Sequence, residues 1–273
     1  MKKVLLASDQ QIPFHDKRAV SLWFKVLKGF KPDQVVYAGD TDDAACYGRW
    51  TAGGHYDFVN NLPDAPSGED MVRKVFEFAD DTRKFYADTR EAVGPDAEMF
   101  SALGNHDIRP LRYFDDKNMR EIQEQVNPES LWGLRSIGCD WIAYADRPHH
   151  LWGGYYVHHG MSISKHAGES VRNDVDNFGV SLIRGHSHRQ GIYNKTYMLR
   201  NETLTGIELG HFMDPNSAGA SYDNVHNWQL GFGVAWVEDN PKANTKDGKF
   251  AHIDLVKISP EYTCVVGGRL YKA

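Results

Sequence analysis

The amino-acid sequence predicts an α/β fold in which two mixed sheets pack together with helices outside. Three observations lead there. The first half of the chain alternates short apolar runs with amphipathic helical stretches. The second half changes to a succession of short strand-like segments. No internal repeat, low-complexity tract or clean linker divides the 273 residues, so one domain over 1–273 is the simplest organisation.

Taken in order, Lys3–Ser8 is an apolar run that ends in Asp9, as a buried parallel strand does. Lys17–Phe30 carries Val20, Trp23, Phe24 and Leu27 at helical spacing, with Gly29 near its stop. Gln34–Ala38 reads as a second strand and runs into Gly39-Asp40, which completes a β-α-β unit. Residues 41–67 are rich in Gly, Asp, Asn and Pro, and read as a long active-site loop. Glu69–Ala92 is helical, with Val72, Val75, Phe76 and Ala79 along one stripe. Glu98–Leu103 is a third strand ending in Gly104-Asn105-His106-Asp107, and Asp115–Val126 reads as another helix. Strands follow at Trp141–Ala145, Tyr155–His158, Ser181–Arg184, Gly191–Met198, Thr203–Leu209, Gly231–Val237 and His252–Ile258. One helix near Gly168–Phe178 interrupts them.

Composition excludes several classes. A hydrophobic share of 41% and a charged share of 25% are those of a globular protein. A formal net charge of -6 gives no sign of the basic face that general nucleic-acid binding needs. Two bound divalent cations would reverse that sign locally, where a phosphate would sit. Cys46, Cys139 and Cys264 are odd in number and widely spaced, which argues against a disulfide framework or a thiolate zinc site and for a reducing cytoplasm. The opening residues imitate a signal peptide, but the apolar run stops at Ser8-Asp9, too early for one. No stretch approaches the length of a transmembrane helix, so the expectation is a cytoplasmic protein with no membrane partner.

Chemistry concentrates at strand ends. Asp9, Gly39-Asp40, Gly104-Asn105-His106-Asp107 and Gly185-His186-Ser187-His188 each close a strand with metal-ligand residue types, and a fifth strand ends in His158-His159-Gly160. In α/β folds, ligands collect beyond the carboxyl ends of strands. The glycines would let the backbone turn sharply, so that the next side chain points back over the sheet edge. Each piece alone is weak: a strand-terminal Asp is usually a helix cap. Agreement at five places is not.

In this order the motifs resemble the D-x-H, G-D, G-N-H-D/E, H-G and G-H-x-H pattern of the calcineurin-like metallophosphoesterase superfamily, over residues 1 to about 190. The stretches 206–209 and 227–232 resemble the tail of small phage-encoded members. The resemblance implies a four-layer α-β-β-α sandwich of two mixed sheets flanked by helices, with two divalent metal ions at its edge. Carried over by motif, Asp9 and His188 hold the first metal and Asp40 bridges both. Asn105, His186 and His159 hold the second; His158 is the alternative to His159, which precedes the glycine. His106 matches the residue that contacts the scissile phosphate and protonates the leaving oxygen. The implied activity is a phosphoesterase whose metal-bound hydroxide attacks phosphorus in line, between cations roughly 3.5–4 Å apart. Asp107 either orients His106 or caps the following helix. Arg109 either binds a phosphate oxygen or forms a surface ion pair.

The chain departs from the pattern at Gln11, where the family has histidine. An amide oxygen in place of imidazole favours manganese or magnesium over zinc, nickel or iron, and implies one firm and one labile site. His15 lines the cleft or caps the next helix, and is a weaker candidate ligand. Asp42, Asp43, Tyr47, Arg49, Trp50, His55 and Tyr56 follow the bridging Asp40 and are placed to shape substrate choice. Trp50 and Tyr56 either stack on a base or anchor the loop. Arg109, Arg112, Lys117, Arg120, Arg184 and Arg189 either track a phosphate chain or are solvated charges. A phosphodiester of a nucleotide or nucleic acid is the first expectation, and a phosphomonoester or phosphoprotein the next. A metal-poor binding scaffold is the alternative of another class, supported by Gln11 alone. No protein partner is indicated.

Overall fold

A computed structural model describes residues 1–47, 67–220, 227–243 and 245–273. Along the chain run β1 (Lys2–Ala7), α1 (Lys17–Phe30), β2 (Gln34–Tyr37), α2 (Gly68–Val93), β3 (Glu98–Ala102), α3 (Arg109–Asp116), α4 (Arg120–Gln123) and α5 (Pro128–Trp132). Next come β4 (Cys139–Ile142), β5 (His149–Trp152), β6 (Tyr155–Val157), α6 (Glu169–Phe178), β7 (Ser181–Arg184), β8 (Gln190–Tyr197) and β9 (Glu202–Leu209). The chain closes with β10 (Gly231–Asp239), β11 (Lys249–Lys257), β12 (Thr263–Val266) and β13 (Arg269–Lys272).

A six-stranded sheet has the order β11-β10-β1-β2-β3-β4. β1 to β4 are parallel in it, while β10 is antiparallel to β1 and β11. A five-stranded sheet has the order β5-β6-β7-β9-β8, with parallel β6, β7 and β9 at its centre. The two sheets face each other: Val4, Leu6, Val36, Ala38, Phe100 and Ala102 pack against Val157, Ile183, Ile207 and Leu209. The other face of the first sheet, with Leu5, Val35, Tyr37 and Met99, carries Leu22, Trp23 and Val26 of α1 and Ala79, Phe85 and Tyr86 of α2. Val171 and Val175 of α6 cover the second sheet at Leu182 and Leu204. The layers are therefore α-β-β-α, as expected. Both faces of β1 are buried, which is why its sequence is a continuous apolar run rather than an alternation.

Local signals account for the helix ends. Asp16 caps α1 by accepting from the amides of Arg18 and Ala19 at 2.9 and 3.0 Å. His15 is thus not the cap. Gly29 lies near the stop of α1, as expected, but the left-handed cap itself is Lys31 at φ 52°. The missing side chain of Gly29 makes room for the Tyr271 ring of β13. Ser67 and Asp70 form a capping box at the start of α2.

Three expectations need correction. The helix expected over Asp115–Val126 is broken: α3 starts at Arg109 with Pro110 in its first turn, and Asn118 at φ 55° ends that run before α4. The strand expected at Trp141–Ala145 sits earlier, at Cys139–Ile142. The β12–β13 hairpin lies beyond the expected strands, although Gly267-Gly268, both at positive φ, is a hairpin-turn signal. The loop expected over 41–67 begins as a tight turn at Ala45–Tyr47, and its residues 48–66 lie outside the described residues. Among the described residues no helix is long and apolar enough to cross a membrane. All three cysteines are free and buried.

Candidate metal centre

The carboxyl ends of parallel β1, β2 and β3 meet those of β6 and β7 across the sandwich. Asp9, Asp40 and Asn105 follow the first three strands; His159, His186 and His188 follow the other two. Backbone bonds tie adjacent ends together, from Asp9 N to Gly39 O at 2.9 Å and from Gly185 N to His159 O at 3.1 Å.

Asp40, His159 and His186 present ligand atoms that all lie within 4.8 Å of one another. His159 Nε2 is 3.0 Å from Asp40 Oδ2 and 3.2 Å from His186 Nδ1. His159 Nδ1 donates to Ala38 O at 2.8 Å, which leaves Nε2 as the ring atom facing the group. His158 points elsewhere. Its Nδ1 accepts from Gly160 N at 2.9 Å and its Nε2 donates to Tyr144 O at 3.2 Å. The structure therefore brings His159, not His158, to the cluster.

A second group shares Asp40. His188 Nε2 lies 3.3 Å from Asp9 Oδ1. The Gln11 amide nitrogen lies 3.3 Å from His188 Nε2 and 3.4 Å from Asp40 Oδ2. The side-chain oxygens of Gln11 and Asn105 are buried without any hydrogen-bond donor. Such an acceptor costs about 1–3 kcal/mol, and a hard cation would relieve the cost. The donors are carboxylate, amide oxygen and imidazole, a set that fits divalent metal ions.

Backbone strain is concentrated on these residues. Asp9 (φ 55°), Gln11 (53°), Asp40 (54°), His186 (74°) and His188 (58°) all sit in the left-handed region. That region costs a residue with a Cβ roughly 1–2 kcal/mol. Strain gathered at one place marks a site under functional constraint. The sequence reading gave the sharp turns to the preceding glycines, and the structure gives them largely to the ligand-type residues themselves. Gly104 and Gly185 serve close approach instead: a Cβ on Gly104 would overlap the Asp40 carboxylate, and one on Gly185 would overlap Ser8 and Asp9.

Asp107 fills neither of its two expected roles. It does not contact His106, and no side chain caps α3. Its Oδ2 accepts from Gly104 N at 2.7 Å and Asp40 N at 2.8 Å, and its Oδ1 accepts from Asp42 N at 2.9 Å. It fixes the two loops that carry Asp40 and Asn105. Asp43 is the residue that holds His106. His106 Nδ1 is 3.1 Å from Asp43 O and 3.5 Å from Asp43 Oδ2. Arg109 donates through Nη1 to Asp43 O at 2.8 Å and through Nη2 to His106 Nε2 at 2.8 Å. A guanidinium only donates, so His106 Nε2 is the acceptor and Nδ1 carries the proton. Arg109 also lies 3.4 Å from Asp43 Oδ1, so it does form an ion pair, half-buried beside the site rather than free on the surface.

Electrostatics set a negative centre inside a dry wall. Burial opposes charge on Asp9, yet His188 holds its carboxyl below the usual range. Burial is likewise outweighed at Asp40, where His159 and His106 hold the carboxyl well below it. His159 is raised to about 9, since Asp40 overcomes the effect of burial. His186 is lowered to about 3 by burial and by the charge of His159. Burial and the neighbouring Asp40 push Asp107 up to about 6, and burial with Asp107 pushes Asp42 to about 8.

The remaining predicted residues divide. Arg184 is fully buried and paired with Asp174, so it cannot track a phosphate chain. Arg189 is tied to Ser164 O at 2.9 Å. Arg112 is exposed, with its guanidinium 5.7 Å from the Tyr144 ring centre. Lys117 and Arg120 are exposed. Tyr47 is buried edge-on against Tyr113 and Phe78, an anchor rather than a stacking surface. Arg49, Trp50, His55 and Tyr56 lie outside the described residues. His15 is not among the grouped ligand atoms. Sequence reasoning missed His211 and Trp228, which wall the His188 side. The His211 ring stacks on His188 at 5.2 Å and 11°, and Trp228 meets it edge-on at 4.5 Å.

No family model matches this chain. It is similar to the Gene 54 protein of Mycobacterium phage D29, at 27% identity over 274 residues, covering 98% of this chain and 95% of that protein. The Gene 54 protein of Mycobacterium phage L5 is likewise 27% identical over 273 residues, with the same coverage. Among solved structures, Vps29 of Cryptosporidium parvum covers 100% of this chain and 95% of its own at 13% identity and a TM-score of 0.42. A Vps29 double mutant of Entamoeba histolytica covers 98% and 95% at 12% identity and a TM-score of 0.41. TT1561 of Thermus thermophilus covers 77% and 90% at 12% identity and a TM-score of 0.34. Structural likeness at this level carries no assignment of activity.

Proposed function

We propose that this chain is a phosphoesterase dependent on divalent metal ions, with a phosphodiester of a nucleotide or nucleic acid as its substrate. The observation that supports it is the convergence of Asp9, Gln11, Asp40, Asn105, His159, His186 and His188 on one sandwich edge, with the Gln11 and Asn105 side-chain oxygens buried there and unpartnered. A first ion would rest on Asp9, Gln11, Asp40 and His188. A second would rest on Asp40, Asn105, His159 and His186, with Asp40 shared. When bound, such a pair clamps a phosphate as a Lewis acid and generates a nucleophile near neutral pH. Manganese suits the oxygen-rich first position best.

The chain's own groups supply the rest. His106, held through Nδ1 by Asp43, offers Nε2 as the atom that, once free of Arg109 and protonated from solvent, would pass that proton to the leaving oxygen. Arg109 Nη2 occupies that nitrogen's direction, so it swings to a phosphate oxygen as substrate enters. Asp43 adds a carboxylate beside His106 and Arg109, which disfavours a monoester dianion relative to a diester. The free buried cysteines suit a reducing cytoplasm.

One observation favours a second reading. The Gln11 amide already bonds toward both His188 and Asp40, so the first position is partly satisfied without a metal. A metal-poor binding scaffold would look like this. The experiment is to strip the protein of metal, add back manganese, magnesium, zinc or nickel, and assay bis-p-nitrophenyl phosphate beside p-nitrophenyl phosphate. Metal-dependent turnover that is lost in Asp40→Ala supports the enzyme. Faster monoester cleavage replaces the diesterase with a phosphomonoesterase or protein phosphatase. No turnover with any metal leaves the scaffold.

A further inference from the structure

We infer that the buried Arg184–Asp174 pair is a positioning device for the second metal site, clamping together the loops that carry His159 and His186; the inference rests on the metal reading above. The two side chains are 0% and 1% exposed, and Arg184 Nη1 meets Asp174 Oδ2 at 2.7 Å. Ion pairs this deeply buried rarely add net stability, because desolvation offsets the attraction.

The bonds show what the pair holds. Arg184 donates through Nε to Gly185 O at 3.0 Å, the residue before His186. It donates through Nη2 to Ser162 O at 2.9 Å, three residues past His159. Asp174, on α6, accepts from Met161 N at 3.1 Å and from Ser162 Oγ at 2.7 Å. One guanidinium thus ties the loop after β6 to the loop after β7, and the carboxylate ties both to the covering helix. Gly160 (φ 112°) lies flat on the guanidinium, where a Cβ would overlap it. The glycine after His159 is therefore demanded by the arginine beneath.

The fork matters as well as the charge. Three N–H groups point to three fixed acceptors, which an ammonium on a flexible stem cannot reproduce. The 3.2 Å spacing of His159 Nε2 and His186 Nδ1 depends on how these two loops sit. Outer partners that orient metal ligands are typically worth about 10- to 100-fold in metal affinity.

The test is calorimetric titration of the metal-stripped full chain with Mn2+, beside its thermal midpoint without metal. In the double variant Arg184→Met with Asp174→Leu, the pair is replaced by apolar groups of similar volume, which spares the fold an unpaired buried charge. The tighter manganese site is expected to weaken at least tenfold in a chain that still unfolds in one cooperative transition, its metal-free midpoint lowered because Met161 N, Ser162 Oγ, Ser162 O and Gly185 O lose their partners. A folded variant that binds manganese within twofold of the natural chain overturns the inference. If the double variant does not fold, Arg184→Lys is read by the same criterion; if neither folds, the pair is a folding requirement and the inference fails. A natural chain that takes up no manganese sinks the metal reading itself, a different and visible failure.

Discussion

Replacing Gln11 by histidine is a sharp perturbation of the first metal position. Gln11 is fully buried at φ 53°, a conformation histidine tolerates better than most residues. Its amide nitrogen lies 3.3 Å from His188 Nε2 and 3.4 Å from Asp40 Oδ2, so a histidine Nε2 of similar reach would arrive at the same place. For the amide oxygen to ligate, the nitrogen must turn away and both long hydrogen bonds are lost. Each is worth about 0.5–1 kcal/mol at most. An imidazole needs no such turn. Gln11→His should therefore bind the weaker metal about 1–2 kcal/mol more tightly, about 5- to 30-fold. Zinc should gain more than manganese, since nitrogen replaces oxygen. Calorimetric titration of both metal-stripped proteins with Mn2+ and Zn2+ reads this directly. Gln11→Leu is the control and should lose the weaker site. A weaker site unchanged within twofold in Gln11→His, or a gain confined to the tighter site, would show that Gln11 is not at the first metal.

Three further outcomes follow from the same geometry. Asn105→Ala removes a buried oxygen that has no donor, so urea unfolding of the metal-free chain should be unchanged or up to about 1 kcal/mol more stable, while the tighter metal site weakens at least tenfold; a marked loss of metal-free stability would count against it. Asp107→Asn replaces one carboxylate oxygen by an NH2 group that faces at least one of three backbone donors, and should destabilise the metal-free chain by about 1–3 kcal/mol in urea; a change under about 0.5 kcal/mol would mean the carboxylate is not the brace described. His106→Ala removes the ring held between the Asp43 carbonyl and Arg109, so turnover of bis-p-nitrophenyl phosphate should fall about 100-fold or more with metal content unchanged; equal turnover would remove His106 from the proton path.

Much of this was legible in the sequence, for a physical reason. A parallel strand buried on both faces writes a continuous apolar run, so β1, β2 and β3 and the residues that close them stood out. The donor types at those ends were legible too. What they touch was not. Asp107 looked like a partner of His106 because it is adjacent in sequence, yet it bonds two amides of the Asp40 loop and one of its own turn, while Asp43 reaches His106 from 63 residues away. Arg184 looked like a surface cation, and only the packing of α6 shows it buried. The helix at Arg109–Asp116 was hidden because Asn118 sets its end through a left-handed backbone, which composition does not announce. His211 carried no motif and Trp228 lay in a matched stretch with no role attached; both reach His188 only through the return of the chain beyond β9.

The central claim is that Asp40 is the shared carboxylate of two unequal metal positions. The most direct test counts manganese bound per chain in the metal-stripped protein and in Asp40→Ala, by calorimetry with electron paramagnetic resonance. The account predicts two ions per natural chain with affinities at least tenfold apart, and neither bound at comparable strength once Asp40 is gone. Two ions held as tightly by Asp40→Ala, or none held by the natural chain, would contradict it.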